Sequence, residues 1–171
     1  MTQRTDPAYE ADEATQLNGF LDYHRATLLQ KTDGLDAQQL ATTHPPSTMT
    51  LGGMLKHLAL VEDNWFSVFL HGNDEVEPWA SVDWEADVDW DWHSASDDDP
   101  EELRRLLTDT VDRCRGLVAG VPLEQLSVRR LSRVDQPVTL RWIVLHMIEE
   151  YARHNGHADL IRESIDGATG E

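Results

Sequence analysis

Four stretches of this chain carry apolar residues at helical spacing, and no segment shows a strong strand pattern; that combination points to an all-α fold. In residues 12–31 the repeat is Leu17, Phe20, Leu21, Leu28 and Leu29, with Asp33-Gly34 as the stop. A short turn over residues 36–40 leads to Pro45-Pro46, which a continuing helix would not tolerate. Thr50 suits the N-cap of a second helix to about Leu70, with a stripe of Leu51, Met54, Leu55, Leu58, Val61, Trp65, Phe66 and Phe69. Asp99-Pro100-Glu101-Glu102 opens a third helix to about Ala119, which Gly120 and Pro122 end. Thr139 opens the last, to about Ile165, and residues 127–138 permit a short extended piece.

Between the second and third helices, residues 72–99 have Asp or Glu at about every third position, with Trp79, Trp84, Trp90 and Trp92 interspersed. Such a connector can be a solvated strap whose tryptophans cover the bundle. It can also wall a pocket, since long loops carry binding groups. Both roles are compatible. The expectation is an up-and-down four-helix bundle with one long acidic, Trp-rich crossover. The 171 residues suit a single domain, 1–171, with residues 1–10 as a frayed tail.

Charge excludes several function classes. Asp and Glu number 32 against 14 Lys and Arg, a formal net charge of −18. Nucleic-acid binding needs a positive footprint, and Arg129-Arg130 is only a small pair. Docking on anionic lipid is disfavoured for the same reason. No apolar run reaches the roughly 18 residues a bilayer span needs. The N-terminus shows no apolar signal core, and the single cysteine, Cys114, suits a reducing compartment, so the expected location is the cytoplasm.

The chemistry concentrates in the last helix, in LHMIEEYARHNGHADLIRE. At about 100° per residue, His146, His157, Glu150 and His154 fall at roughly 0°, 20°, 40° and 80°. The apolar residues Ile143, Met147, Tyr151, Ala158 and Ile161 occupy about 60–140° on the same wheel. The ligand-type side chains therefore line the edge of the buried face. An unpaired carboxylate is costly there. A divalent cation is one solution, because it compensates the acid and accepts neutral imidazole nitrogens. His57, within GMLKHLALVE, is the histidine inside the second helix and can supply a ligand from across the bundle.

Other readings stay open on these residues. His57 can be a hydrogen-bonded structural histidine, Glu150 an ion-pair partner of Arg153, and His154 with His157 a solvated cap. His24 reads as packing or as support for a neighbouring site. His44 and His93 fall in loops. Cys114, among Asp112, Arg113 and Arg115, has no Cys-His motif nearby and is not read as a nucleophile.

Three segments, FLDYHRATLLQKTDGLDAQQL, MTLGGMLKHLALVEDNWF and LRWIVLHMIEEYARHNGHADLIRESIDG, resemble the DinB-like metal-binding superfamily over nearly the whole chain. Within it they are most similar to the mini-circle protein and mycothiol-transferase-like branch. The resemblance implies a DinB-like four-helix bundle with a zinc- or nickel-type site, from one histidine on the second helix and a pair on the last. The usual pair is His-x3-His; Glu150 with His154 instead resembles the His-Glu-His set of mycothiol-dependent maleylpyruvate isomerase. Carried over residue by residue, the ligands are His57, Glu150 and His154. His157 stands where many relatives have Gln, as a fourth ligand or a group supporting one, and the role of His146 is open.

The resemblance further implies a low-molecular-weight thiol, mycothiol, as co-substrate and an electrophile as its partner. Metal binding lowers a thiol's pKa and yields thiolate at neutral pH. The expected activity is a metal-dependent thiol S-transferase with a role in detoxification. An isomerase using the same chemistry, or a non-catalytic, stress-related metal-binding bundle acting through a homodimer, are the alternatives.

Overall fold

Each long helix starts where a short polar side chain caps it. Asp12 accepts from the Thr15 N–H ahead of α1 (Glu13–Thr32), and Thr50 from the Gly53 N–H ahead of α3 (Leu51–Glu62). Asp99 accepts from the Glu101 N–H ahead of α5 (Pro100–Val118), and Thr139 from the Trp142 N–H ahead of α6 (Leu140–Asp166). The four expected helices are present, together with the short α2 (Ala37–Leu40) and α4 (Trp90–His93), in a computed structural model that describes residues 4–169. Among the described residues there is no strand; the extended piece expected near 127–138 is reduced to the isolated bridges Leu126–Thr139 and Leu131–Gln136.

Side-chain contacts fix the helix directions. Arg141 pairs with Glu13 near the starts of α6 and α1, and Arg162 reaches the Lys31 carbonyl near their ends, so those two run together. Gly52 meets Leu103, and the Cys114 thiol faces the Glu62 carbonyl, so α3 and α5 also run together. The pairs Trp65–Trp142 and His57–His154 make α3 and α6 antiparallel. The helical bundle is as expected, but its order is up, down, down, up instead of the expected up-and-down alternation. The crossover has to return the chain to the end where α3 begins, which explains its length.

The apolar stripes read from the sequence make the core: Leu51, Met54, Leu55, Leu58 and Phe66 from α3 and its continuation meet Ile143, Met147, Tyr151, Ala158 and Ile161 from α6. On α1 only part of the expected face is buried. Leu21 and Leu28 are inside, while Phe20 is half exposed.

The second helix is not uniform as expected: after Glu62 it widens into a π-helix over Asp63–Phe69. The change coincides with two consecutive buried carboxylates facing different guanidiniums. Glu62, with no exposed surface, receives Arg25 Nε–H and Nη2–H at 2.7 Å each and the Tyr151 hydroxyl at 3.0 Å. Asp63 pairs with Arg113. Burial works against the charge of Arg25, but Glu62 more than restores it and holds the guanidinium above its ordinary pKa.

Candidate metal centre

The bundle interior brings His57 from α3 together with Glu150 and His154 from α6. One donor atom from each lies within 4.8 Å of the other two. The pair on α6 is one helical turn apart and so shares a face. The His57 and His154 rings meet edge to face, centroids 5.0 Å apart. Ligand bonds of about 2.0–2.2 Å put the donors of a tetrahedral ion roughly 3.4 Å apart, so the cluster closes on a cation with about an ångström of side-chain movement.

The donor chemistry fits a divalent cation. Glu150 is a quarter exposed and, among the described residues, pairs with no guanidinium: Arg153 approaches Glu149 instead. Its carboxylate lies 3.5 Å from His146 Nε2 and 3.6 Å from His154 Nε2, too long for good hydrogen bonds. The Nδ1 atom of His154 is buried without a hydrogen-bond partner among the described residues. Burial, with His57 and His157 nearby, pushes the His154 pKa down to about 4, so its imidazole is neutral and available as a donor at pH 7.

That shift predicts a pH dependence. Unfolded His154 titrates near its ordinary 6.5, and folded His154 near 4. Between these values the unfolded chain binds the extra proton, so stability falls as pH drops from 6.5 toward 4. Urea midpoints of the metal-free protein at pH 7 and pH 5 should show this loss, and His154→Gln should flatten it. An unchanged slope in the variant would place the titration elsewhere.

The other sequence candidates separate here. The His157 ring lies 6.3 Å from that of His154, but His157 is outside the set of mutually close donors. His146 stacks on Trp142, centroids 5.0 Å apart at 23°, and meets Trp65 edge on. It thereby extends the Glu150 side of the cluster into a partly exposed aromatic wall. The His24 carbonyl accepts from Asn155 at 3.0 Å, which ties α1 to α6 next to His154. Cys114 is buried, and burial first, then Glu62, pushes its thiol up to about 12, as expected of an inert cysteine.

The sequence alone does not distinguish Asp91 or Trp92 from their acidic and aromatic neighbours. Both come from α4 in the crossover. The His57 Nδ1–H donates to Asp91 Oδ2 at 2.7 Å. Trp92 stacks on His57 at 4.8 Å and lies 5.7 Å from His154. A Cβ on Gly53 would come within 2.5 Å of the Trp92 ring, so only glycine there lets the indole lie against α3. Trp79, Trp84 and Trp90 instead form an edge-to-face cluster, with Lys56 over Trp90, that covers the bundle. The crossover therefore both covers the bundle and reaches the site. The signal in the sequence was its tryptophan content, which did not distinguish Trp92 from the other three.

The family model for mycothiol S-transferase matches residues 16–167. The chain belongs to that family. The match covers α1 from Gln16 onward, the other three long helices and the crossover, and therefore every residue of the cluster. A comparison with curated proteins gave no match. A mycothiol S-transferase acts on a thiol and an electrophile, and among the described residues no helix is long and apolar enough to cross a membrane.

Proposed function

We propose that this chain is a metal-dependent S-transferase that activates mycothiol at a site held by His57, Glu150 and His154 and joins it to an electrophile. The observation that carries the reading is the convergence of those three donors, from two antiparallel helices, inside a chain of the mycothiol S-transferase family. A divalent cation bound there, zinc or nickel by donor type, supplies a lowered thiol pKa and hence thiolate at neutral pH.

The side chains do the rest. Glu150 would offset part of the cation's charge, and His57 and His154 would supply imidazole nitrogens as the other donors. Trp92 and the core behind His154 restrict water on one side, which strengthens electrostatics within the site. In transfer, the thiol gives up its proton to solvent and a new S–C bond forms at the electrophilic carbon; in an addition, the electron pair of the substrate's π bond takes up a proton. A leaving group, where there is one, departs with the electron pair of its bond. The buried Cys114 takes no part.

Conjugation of mycothiol to monochlorobimane, followed by fluorescence, tests this directly. Zinc-loaded protein should exceed the uncatalysed rate, chelator-treated protein should fall back to it, and added Zn2+ should restore the difference. Rates equal to background with mycothiol and other small thiols would favour a non-catalytic metal-binding bundle.

A further inference from the structure

We infer that Asp91, on the crossover, is the positioning residue of the metal centre, fixing the tautomer and direction of His57; this rests on the metal reading above.

Asp91 is only 3% exposed, although it belongs to a segment dominated by solvent-facing acids. Burying a carboxylate is costly unless a partner compensates it. Among the described residues its hydrogen-bond partner is His57, and the contact is short, 2.7 Å from Nδ1 to Oδ2. In that contact the ring donates Nδ1–H to a carboxylate oxygen, which leaves Nε2 as the nitrogen for a cation. That arrangement leaves the nitrogen away from the crossover free to donate to a cation. Neutral imidazole with Nδ1 hydrogen-bonded to a carboxylate is more basic at Nε2, a common support for histidine ligands.

The ring is also held on its face. Trp92, the next residue, stacks on His57 with the planes 30° apart, so one turn of α4 restrains both the tilt and the proton of the imidazole. Lys56, on the neighbouring position of α3, lies over Trp90 at the start of that turn and pairs with Asp98 beyond it, anchoring the crossover there. The acidic connector is in this account part of the metal site's construction.

The test uses the full-length protein, with Zn2+ affinity measured against a chromophoric chelator and His57 ring nitrogens observed by 15N NMR without metal. Wild type should bind one Zn2+ and show His57 protonated on Nδ1. Asp91→Ala should lose roughly 10–100-fold in Zn2+ affinity. Its His57 should shift toward the Nε2–H tautomer, with circular dichroism unchanged. Asp91→Asn, nearly isosteric, keeps an oxygen that can accept from Nδ1–H and should fall between the two; it carries the comparison should the alanine variant not fold. Zn2+ affinity within about twofold of wild type in both folded variants, or an unchanged His57 tautomer in Asp91→Ala, would overturn the role of Asp91 while leaving the metal site standing. Failure of wild type itself to bind Zn2+ would remove the metal reading and this inference with it.

Discussion

Replacing Arg25 by alanine should lower the unfolding free energy by about 3–5 kcal/mol, because it strands a buried charge. Glu62 has no exposed surface, and Arg25 supplies two of its three hydrogen bonds. Without the guanidinium, the carboxylate keeps only the Tyr151 hydroxyl. For a domain of this size the loss corresponds to a fall in Tm of roughly 6–20 °C. Urea denaturation should show an earlier midpoint with an unchanged slope. The triple variant Arg25→Met, Glu62→Leu, Tyr151→Phe should recover most of the loss, because it removes both charges, leaves no buried hydroxyl unpaired and fills the space with apolar groups. A single-variant loss below about 1 kcal/mol would mean that Glu62 finds water or another partner.

This network bears on function through geometry. Glu62 lies five residues beyond His57 on α3, and Tyr151 follows Glu150 directly on α6. The Glu62–Tyr151 hydrogen bond therefore ties α3 to α6 beside the donor cluster, and Arg25 ties α1 to the same point.

The second large effect concerns the donors. Glu150→Ala or His154→Ala should reduce kcat/KM for mycothiol conjugation by about 10³-fold or more, since a Lewis acid contributes several kcal/mol. Both side chains sit at the edge of the buried face, so stability of the metal-free variants should change by little more than about 1 kcal/mol. His157→Ala should have a much smaller effect on rate, because His157 is not among the mutually close donors. Equal losses at His157 and His154 would require a fourth ligand.

Much of this was legible in the sequence because helices state their faces. The start signals at Thr50, Asp99-Pro100 and Thr139, the apolar repeat from Asp12 and the period of 3.6 locate all four long helices to within a residue or two, apart from the late stretch of the second. The same wheel placed Glu150 and His154 on one edge of α6, and His57 was the histidine available on α3. What stayed hidden depends on contacts between distant segments. The π-helix after Glu62 goes with pairings to Arg25 and Arg113, residues 37 and 50 positions away. The distinction between Asp91 and its many acidic neighbours exists only once α4 lies across α3. Helix direction was likewise unreadable from periodicity, which is the same whichever way a helix runs.

The central claim is that one cation is shared by His57, Glu150 and His154, and elemental analysis of protein purified without a histidine tag tests it most directly. The account predicts close to one divalent ion per chain in wild type and nearly none in His57→Ala, Glu150→Ala or His154→Ala variants that remain folded. Full metal content in those folded variants, or none in wild type supplied with Zn2+ and Ni2+, would contradict it.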